Sequence, residues 1–250
     1  MTQPPPCQVC NATERRIYAA HSGHALFECA GCGFVTLDPL PDEETRAALY
    51  DDAYAGASGG YFAKVDKKMR RARRRAAHIA SKTGGRGGKR RRFLDVGANG
   101  GFMVEAAREK GFESVGVELD ATSVAYAREH YPSNTFFHGS VEDYARETDG
   151  ALFDAVYCSE VIEHVADANS FLGAIATLTR PDGLLYLTTP DIGHRRRPKD
   201  LASWDGFCPP SHCLYFTEGS LRQLLEKHGF GQIHSRFAWK PGLKISARKN

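Results

Sequence analysis

From Phe93 onward, short apolar runs alternate with segments in which apolar residues recur every three or four positions. The alternation of strand-like with helical segments predicts right-handed crossovers and a mostly parallel sheet covered on both faces. A helix with Thr217 as its N-cap and a closing hairpin turning at Lys240-Pro241-Gly242 complete the pattern. The predicted fold is a doubly wound α/β sheet of seven strands, whose strand segments are "RFLDVGA", "SVGVELD", "NTFFHGS", "FDAVYCSE", "GLLYLTTP", "QIHSRFAW" and "LKISARKN".

The chain before Phe93 has a different pattern. Pro41 and the acids that follow it are typical of a helix start, and "AGASGG" then interrupts the chain. A second helix follows, because apolar residues recur at steps of three and four, while most Arg residues fall off that face. The pattern divides the chain into a small module at 1–40, a helical, basic connecting and lid segment at 41–91, and the main domain at 92–250. The apolar positions of the second helix are Phe62, Val65, Met69, Ala72, Ala76 and Ile79.

The composition is that of a soluble globular protein, with 42% apolar and 25% charged residues among 250. No apolar run approaches the length of a membrane span, and the N-terminus lacks the basic start and apolar core of a secretory signal. We therefore expect a cytoplasmic protein with no membrane partner.

The net charge of +3 conceals two opposite parts. Residues 64–92 carry a charge of +13, and the remainder of the chain carries −10. One interpretation is a packed helix with a solvated basic side; the other is a basic side that receives an acidic or phosphate-bearing partner, nucleic acid included.

Four of the seven cysteines form two C-x-x-C pairs, and eighteen residues separate the pairs. Four thiolates at this spacing can converge tetrahedrally on one zinc ion, as in a zinc ribbon. A redox dithiol needs only one pair, and buried structural thiols would not repeat the spacing. The predicted ligands of a structural Zn²⁺ are Cys7, Cys10, Cys29 and Cys32.

Polar or glycine-rich turns follow the first three strands of the main domain. Gly97, Gly100 and Gly101 permit a ligand to approach the backbone after the first strand. Glu118 ends the second strand, where a carboxylate can accept both hydroxyls of a ribose. Ser140 and Val141 follow the third strand, where polar atoms and free backbone can bond an adenine edge. The turn is not a P-loop, because no Lys-Ser/Thr pair follows the last glycine.

The motifs "FLDVGANGG", "VGVELD", "GSVED", "FDAVYCSEVIEHV" and "LTRPDGLLYLTTP" resemble those of class I S-adenosylmethionine-dependent methyltransferases, over about residues 93–250. Asn99 stands where that family usually has Gly, and Ser140 where it often has Asp. A dehydrogenase would need a hydride-transfer constellation and a cleaner G-x-G-x-x-G, and the sequence shows neither. The resemblance implies S-adenosyl-L-methionine as cofactor, with Asp95, Gly97, Asn99 and Gly101 around the methionyl part, Glu118 on the ribose, Ser140 and Val141 facing adenine, and Cys158 and Glu160 lining the next wall.

The four-cysteine front end and "HCLYFTEGSLRQLLEKHGF" resemble bacterial methyltransferases that act on sugars or natural-product scaffolds. The resemblance implies a small-molecule acceptor held by the long segment after the fifth strand, residues 191–215, which we call the acceptor segment. Two alternatives remain: an RNA methyltransferase that uses the ribbon and the basic helix, and an enzyme acting on a carrier-bound substrate.

Proton removal from an acceptor hydroxyl needs a base, and two histidines are candidates. His212 lies in the acceptor segment, and His164 lies just after the fourth strand. Each has a structural alternative: a hydrogen bond in a Pro-rich turn for His212, and packing with Glu163 for His164. Tyr215 and Trp204 are candidate stacking platforms for an acceptor ring, Tyr54 and Tyr61 are candidate lid residues, and Arg195, Arg196 and Arg197 either bind an acidic acceptor group or are solvated.

Overall fold

The structure is a computed structural model that describes residues 5–42, 45, 64–84, 90–148 and 150–250. The helix predicted after Pro41, together with Tyr54, Tyr61 and Phe62, lies outside these ranges. The strands of the described residues, in chain order, are β1 (Arg15–His21), β2 (His24–Cys29), β3 (Val35–Leu37), β4 (Arg91–Val96), β5 (Phe112–Glu118), β6 (Thr135–His138), β7 (Phe153–Ser159), β8 (Thr179–Thr189), β9 (Leu214–Tyr215), β10 (Phe230–Ser235) and β11 (Leu243–Lys249).

The main sheet has seven strands in the order β10-β11-β8-β7-β4-β5-β6. The pairs among β4, β5, β6, β7 and β8 are parallel, and only the pairs made by β11 are antiparallel. The predicted seven-stranded, mostly parallel sheet is therefore confirmed. Strand order reverses between β4 and β7, and in open sheets of this kind ligands bind at such a reversal, outside the carboxyl ends of the strands.

Helices cover both faces of the sheet, as the alternating pattern predicts. Thr217 caps the last helix through a reciprocal pair of hydrogen bonds with Ser220, which confirms the predicted N-cap. Within the described residues the helices are α1 (Val65–Lys82), α2 (Phe102–Arg108), α3 (Ala121–His130), α4 (Val141–Glu147), α5 (Ala168–Leu178) and α6 (Glu218–Lys227), and a 3-10 turn spans Leu201–Ser203. No helix in the described ranges has the length and apolarity needed to cross a membrane.

Helix α1 buries the stripe that its sequence predicts. Met69, Ala72, Ala76 and Ile79 are buried and pack against α2 and the face of the sheet. Most of the basic residues lie on the opposite, exposed side of the helix. The stripe fixes the helix to the main domain, and the basic side is left to solvent.

The N-terminal module shares a sheet with the main domain, which the sequence did not predict. Strands β1, β2 and β3 are extended by β9, in which Tyr215 lies opposite Val35. The rings of Phe34 and Phe216 pack at 5.0 Å between centroids. The side chain of Gln8 also bonds the backbone at the start of α5. The module is thus fastened to the long segment between β8 and α6.

Candidate active site

The predicted cofactor residues meet at the carboxyl edge of the sheet. The parallel register places Val96 of β4 beside Val117 of β5 and Cys158 of β7, and places Glu118 beside His138 of β6. Because these strands end at one level, the turns that follow them lie side by side. The structure therefore brings the glycine turn, Glu118 and the start of α4 to one edge.

The turn after β4 depends on two glycines. Gly97 has a φ of +77°, and a Cβ there would lie 2.4 Å from Cγ2 of Val161. Gly101 has a φ of +78°, and a Cβ there would lie 2.8 Å from the ring of Phe136. Any side chain at either position is therefore both strained and crowded, which keeps the backbone of the turn bare.

Asn99 fits the turn although glycine is usual at its position in the family. Its φ is +45°, a region in which Asn is better tolerated than most residues. Its side-chain Oδ1 accepts a hydrogen bond from the N–H of Gly100 at 2.7 Å. Its own N–H donates to Oε2 of Glu118, also at 2.7 Å. Asn99 thus links the glycine turn to the end of β5.

Glu118 is held in one orientation by backbone donors. The N–H groups of Asn99 and Asp120 bond different carboxylate oxygens, at 2.7 and 2.9 Å. Each carboxylate oxygen has a further lone pair with which to accept a ribose hydroxyl. Burial raises the pKa of Glu118, and the backbone hydrogen bonds oppose that rise. The geometry suits the role that the sequence predicts.

Asp95 lies on β4, two residues before the first glycine of the turn, and is almost completely buried. Burial raises the pKa of Asp95 well above its ordinary value, the charge of Glu118 adds to the rise, and Arg75 opposes it. Arg75 reaches this level from α1 and hydrogen-bonds the hydroxyl of Tyr157. Arg75 was not predicted as a site residue, although it lies three residues after Ala72 and four before Ile79, beside the apolar stripe of α1.

The other predicted cofactor residues occupy different settings. The Ser140 side chain forms a capping box with Asp143, so it is engaged in starting α4, and Val141 is buried in the first turn. Cys158 is completely buried inside β7. Glu160 is exposed, has a φ of +57°, and accepts a hydrogen bond from Thr188. Their contacts with a cofactor stay predictions.

The structure brings the two predicted catalytic histidines together. The rings of His164 and His212 meet edge to face, with centroids 4.6 Å apart. Nδ1 of His164 lies 2.8 Å from the carbonyl oxygen of Ser211, and Nδ1 of His212 lies 3.1 Å from that of Gly206. Because a carbonyl only accepts, each Nδ1 carries the proton, and Nε2 carries the lone pair of the neutral ring.

Burial keeps both imidazoles neutral. The pKa of His164 is lowered by burial, and that of His212 is lowered to about 4, first by burial and then by the charge of His164. Glu163 belongs to the same cluster. Its Oε2 accepts a hydrogen bond from Thr189 at 2.9 Å, and burial raises its pKa well above the ordinary value, with Glu160 adding to the rise. From the sequence, Glu163 was predicted only as a packing partner of His164.

The acceptor segment that bears His212 is fixed by backbone bonds. The N–H of Cys213 donates to the carbonyl of Glu163 at 2.7 Å, and the carbonyl of Cys213 accepts from Leu37 at 3.0 Å. Tyr215 and Trp204 are both buried, and Tyr215 packs on Phe207. These two rings therefore support the segment from within. The charge of Arg196 lies over the ring of Trp239, while Arg195 is exposed.

The four predicted zinc ligands form a compact cluster. All four Sγ atoms lie within 4.8 Å of one another, with Cys7–Cys32 at 3.6 Å and Cys10–Cys29 at 3.4 Å. Four thiolates about 2.3 Å from one zinc ion have sulfurs about 3.8 Å apart. All four are free thiols, and the Sγ separations are far beyond the ~2.05 Å of a disulfide. The donor set and its spacing fit a structural Zn²⁺.

We expect the double variant Cys7→Ser/Cys10→Ser to lose one zinc ion per chain in elemental analysis, because a hydroxyl does not replace a thiolate ligand. Its thermal stability should also fall, since a structural zinc site contributes folding free energy. The exposed Cys208, replaced by Ser, is the matched control and should keep the full zinc content. Equal zinc in the double variant and the control would exclude the ribbon.

A family of known proteins matches most of the chain. The family described as "Methyltransferase domain" covers residues 63–235. This span includes the glycine turn, Glu118, the histidine pair and every strand of the main sheet except β11.

Curated relatives match at modest identity. A ubiquinone biosynthesis O-methyltransferase of Glaesserella parasuis is 34% identical over 122 residues, which are 46% of this chain and 51% of that protein. The ubiquinone biosynthesis O-methyltransferase of Cronobacter sakazakii is 29% identical over 194 residues, which are 69% of this chain and 78% of that protein. The first match thus spans about half of its relative's length.

Solved structures match over more of the chain. The 1,6-didemethyltoxoflavin-N1-methyltransferase of Burkholderia thailandensis, bound to S-adenosylhomocysteine, has a TM-score of 0.59 at 21% identity and covers 94% of this chain and 99% of its own. The magnesium protoporphyrin IX methyltransferase of Synechocystis PCC 6803 has a TM-score of 0.57 at 16% identity, covering 83% of this chain and 97% of its own. At such identities the likeness concerns the fold. The chain belongs to the methyltransferase domain family, and its fold is that of the class I S-adenosylmethionine-dependent methyltransferases.

Proposed function

We propose that the protein transfers a methyl group from S-adenosylmethionine to a hydroxyl oxygen of a small molecule, such as a sugar or a natural-product scaffold. The observation that carries the proposal is the pair of neutral imidazoles, His164 and His212, beside the carboxyl edge that holds the predicted cofactor residues. The O-methyltransferase names of the curated relatives support an oxygen acceptor.

The reaction is an in-line displacement. The acceptor oxygen attacks the methyl carbon, the bond between that carbon and the sulfonium sulfur breaks, and the electron pair stays on sulfur. Alignment of the two reactants supplies a large part of the rate, up to about 7–11 kcal/mol of the barrier. The hydroxyl proton must leave, and in this proposal Nε2 of His212 accepts it, with His164 as its neighbour.

The low pKa of His212 limits what the imidazole does alone. A base works best when its pKa lies near the operating pH, and a pKa of about 4 makes His212 a weak proton acceptor. The acceptor hydroxyl must therefore be acidic or be made acidic in the site. Phenolic and enolic hydroxyls meet this condition better than simple alcohols, so we place them first in an acceptor screen.

The experiment is transfer of an isotope-labelled methyl group from S-adenosylmethionine to a panel of phenols, enols, sugars and amines. We expect a product heavier by one methylene, with the label on oxygen. Label on nitrogen or carbon across the panel would contradict O-methylation.

An RNA acceptor is the alternative that the exposed basic side of α1 keeps open. Arg70, Arg71 and Arg74 are exposed on that side. Two neighbouring cations are used within the chain, since Arg73 pairs with Glu109 at 2.7 Å and Arg75 bonds Tyr157. A gel-shift assay with RNA at increasing salt distinguishes the two, because phosphate binding weakens steeply with salt.

A further inference from the structure

We propose that Glu163, His164 and His212 bind a divalent transition-metal ion, Zn²⁺ in the first instance, at the place where the acceptor hydroxyl is methylated. One nitrogen from each imidazole and one oxygen from the carboxylate lie within 4.8 Å of one another. Two histidines and one carboxylate are a known ligand set of catalytic zinc sites. The binding site stands on its own geometry, while its role in catalysis rests on the proposed O-methylation.

The hydrogen bonds of both histidines suit them to bind a metal ion. Metal-bound histidines almost always donate their second ring N–H to a carbonyl or carboxylate, which fixes the tautomer and the ring orientation. His164 and His212 both show this arrangement, with Nδ1 directed at the carbonyls of Ser211 and Gly206. The nitrogen that carries the lone pair is Nε2 in both rings. Nε2 of each ring is therefore the nitrogen available to a metal ion.

Glu163 supplies the negative charge. The residue is 1% exposed, and Thr189 fixes one carboxylate oxygen, Oε2. The other oxygen, Oε1, is buried and receives no hydrogen bond from the described residues. No ion pair of the described residues includes Glu163. A buried carboxylate without a counter-charge is costly, and a bound cation would remove that cost.

The backbone holds the three ligands in place. Glu163 and His164 lie in the turn after β7, and His212 lies in the acceptor segment. The two parts are joined by the bonds from Cys213 and Leu214 to the carbonyl of Glu163. β9, which follows directly, is paired with β3 of the N-terminal module. The cluster is therefore assembled by the fold, without help from an acceptor or a cofactor.

Three protein ligands leave at least one coordination position open, which is the arrangement of catalytic zinc sites. An acceptor hydroxyl that takes this position becomes more acidic, as zinc-bound water does. Its proton is released to solvent, and the coordinated oxygen then attacks the methyl carbon. The methyl–sulfur bond breaks with its electron pair left on sulfur, and the metal keeps its charge and oxidation state. In this form of the reaction Nε2 of His212 binds the metal ion instead of accepting the proton, because the metal ion itself acidifies the hydroxyl.

The test is the zinc content of the full-length chain after chelation and reconstitution with ZnCl2, measured without cofactor or acceptor. We expect His212→Gln and Glu163→Gln each to hold one zinc ion per chain fewer than the wild type. His234→Gln, which changes an exposed histidine on β10, should match the wild type. Circular dichroism shows whether each variant is folded, and Glu163→Gln keeps the shape of the side chain if His212→Gln is unstable.

Unchanged stoichiometry in both folded variants would overturn the site. Methyl-transfer assays separate this proposal from the proposed function. If the chain binds zinc at Glu163, His164 and His212 but methylates no hydroxyl, the metal site is retained and the proposed function is wrong. Full turnover after zinc is removed from Glu163, His164 and His212 would overturn the catalytic role of the metal.

Discussion

His212→Gln is expected to lower turnover about 10²-fold or more and to leave the affinity for S-adenosylmethionine unchanged. Glutamine retains a hydrogen-bonding group of similar size, but it cannot accept the proton and is a poor metal ligand. Residue 212 of this variant can therefore neither accept the proton as a base nor bind the proposed metal ion. The measurement is steady-state methyl transfer to the acceptor found in the screen, with cofactor affinity determined separately by calorimetry.

The matched control is His234→Gln, since His234 is an exposed histidine on β10. Its turnover should equal that of the wild type. If His212→Gln kept near-normal turnover, His212 would serve only to orient the acceptor, and His164 would be the next residue to replace. The pH profile adds a second readout. Because the pKa of His212 is about 4, protonation of this ring should reduce turnover only as the pH falls toward that value.

Glu118→Ala should weaken S-adenosylmethionine binding by about 1.5–3 kcal/mol, the range for hydrogen bonds to a charged group. This corresponds to a loss of roughly 10- to 150-fold in affinity. In the wild type the N–H groups of Asn99 and Asp120 hold the carboxylate in place. The variant lacks this carboxylate, so the predicted hydrogen bonds from the ribose hydroxyls are lost. Isothermal titration calorimetry measures the change.

Glu113→Ala is the control for Glu118→Ala. Glu113 lies on the same strand, is exposed, and forms only a surface contact with Arg92 at 3.5 Å. A surface ion pair of this kind contributes little, so cofactor affinity should not change. Equal affinity in the two variants would remove Glu118 from the cofactor site.

The sequence predicts the main sheet well because its cues are local. Each strand is a short apolar run, each helix has its own periodicity, and parallel strands must end at one edge. The positions of Gly97, Gly101 and Glu118 at that edge follow from the same rule. The capping role of Ser140 could also be predicted from the sequence, since Asp143 follows it by three residues, the spacing of a capping box.

The features that the sequence did not predict depend on contacts between distant segments. β9 has only two residues, and it is a strand because β3 lies beside it. Tyr215 is buried for the same reason, since that pairing places it beneath the N-terminal module. Arg75 approaches Asp95 only after α1 has packed on the sheet. The Glu163 cluster also needs the acceptor segment to return to the end of β7.

The shared sheet has a consequence for the N-terminal module. β3 holds β9, and β9 begins two residues after His212. Loss of order at the cysteine cluster would therefore reach the acceptor segment through a short, direct path. We therefore expect the module to support the acceptor segment, which agrees with the proposed structural zinc site, since four thiolate ligands leave no open position for substrate.

A crystal structure of the protein with S-adenosylhomocysteine bound tests the central claim most directly. The account predicts that both ribose hydroxyls lie within hydrogen-bond distance of the Glu118 carboxylate. It also predicts that the sulfur lies over the carboxyl edge, on the side that faces His164 and His212. A ligand bound away from Glu118, or a sulfur separated from the histidine pair by the sheet, would contradict it.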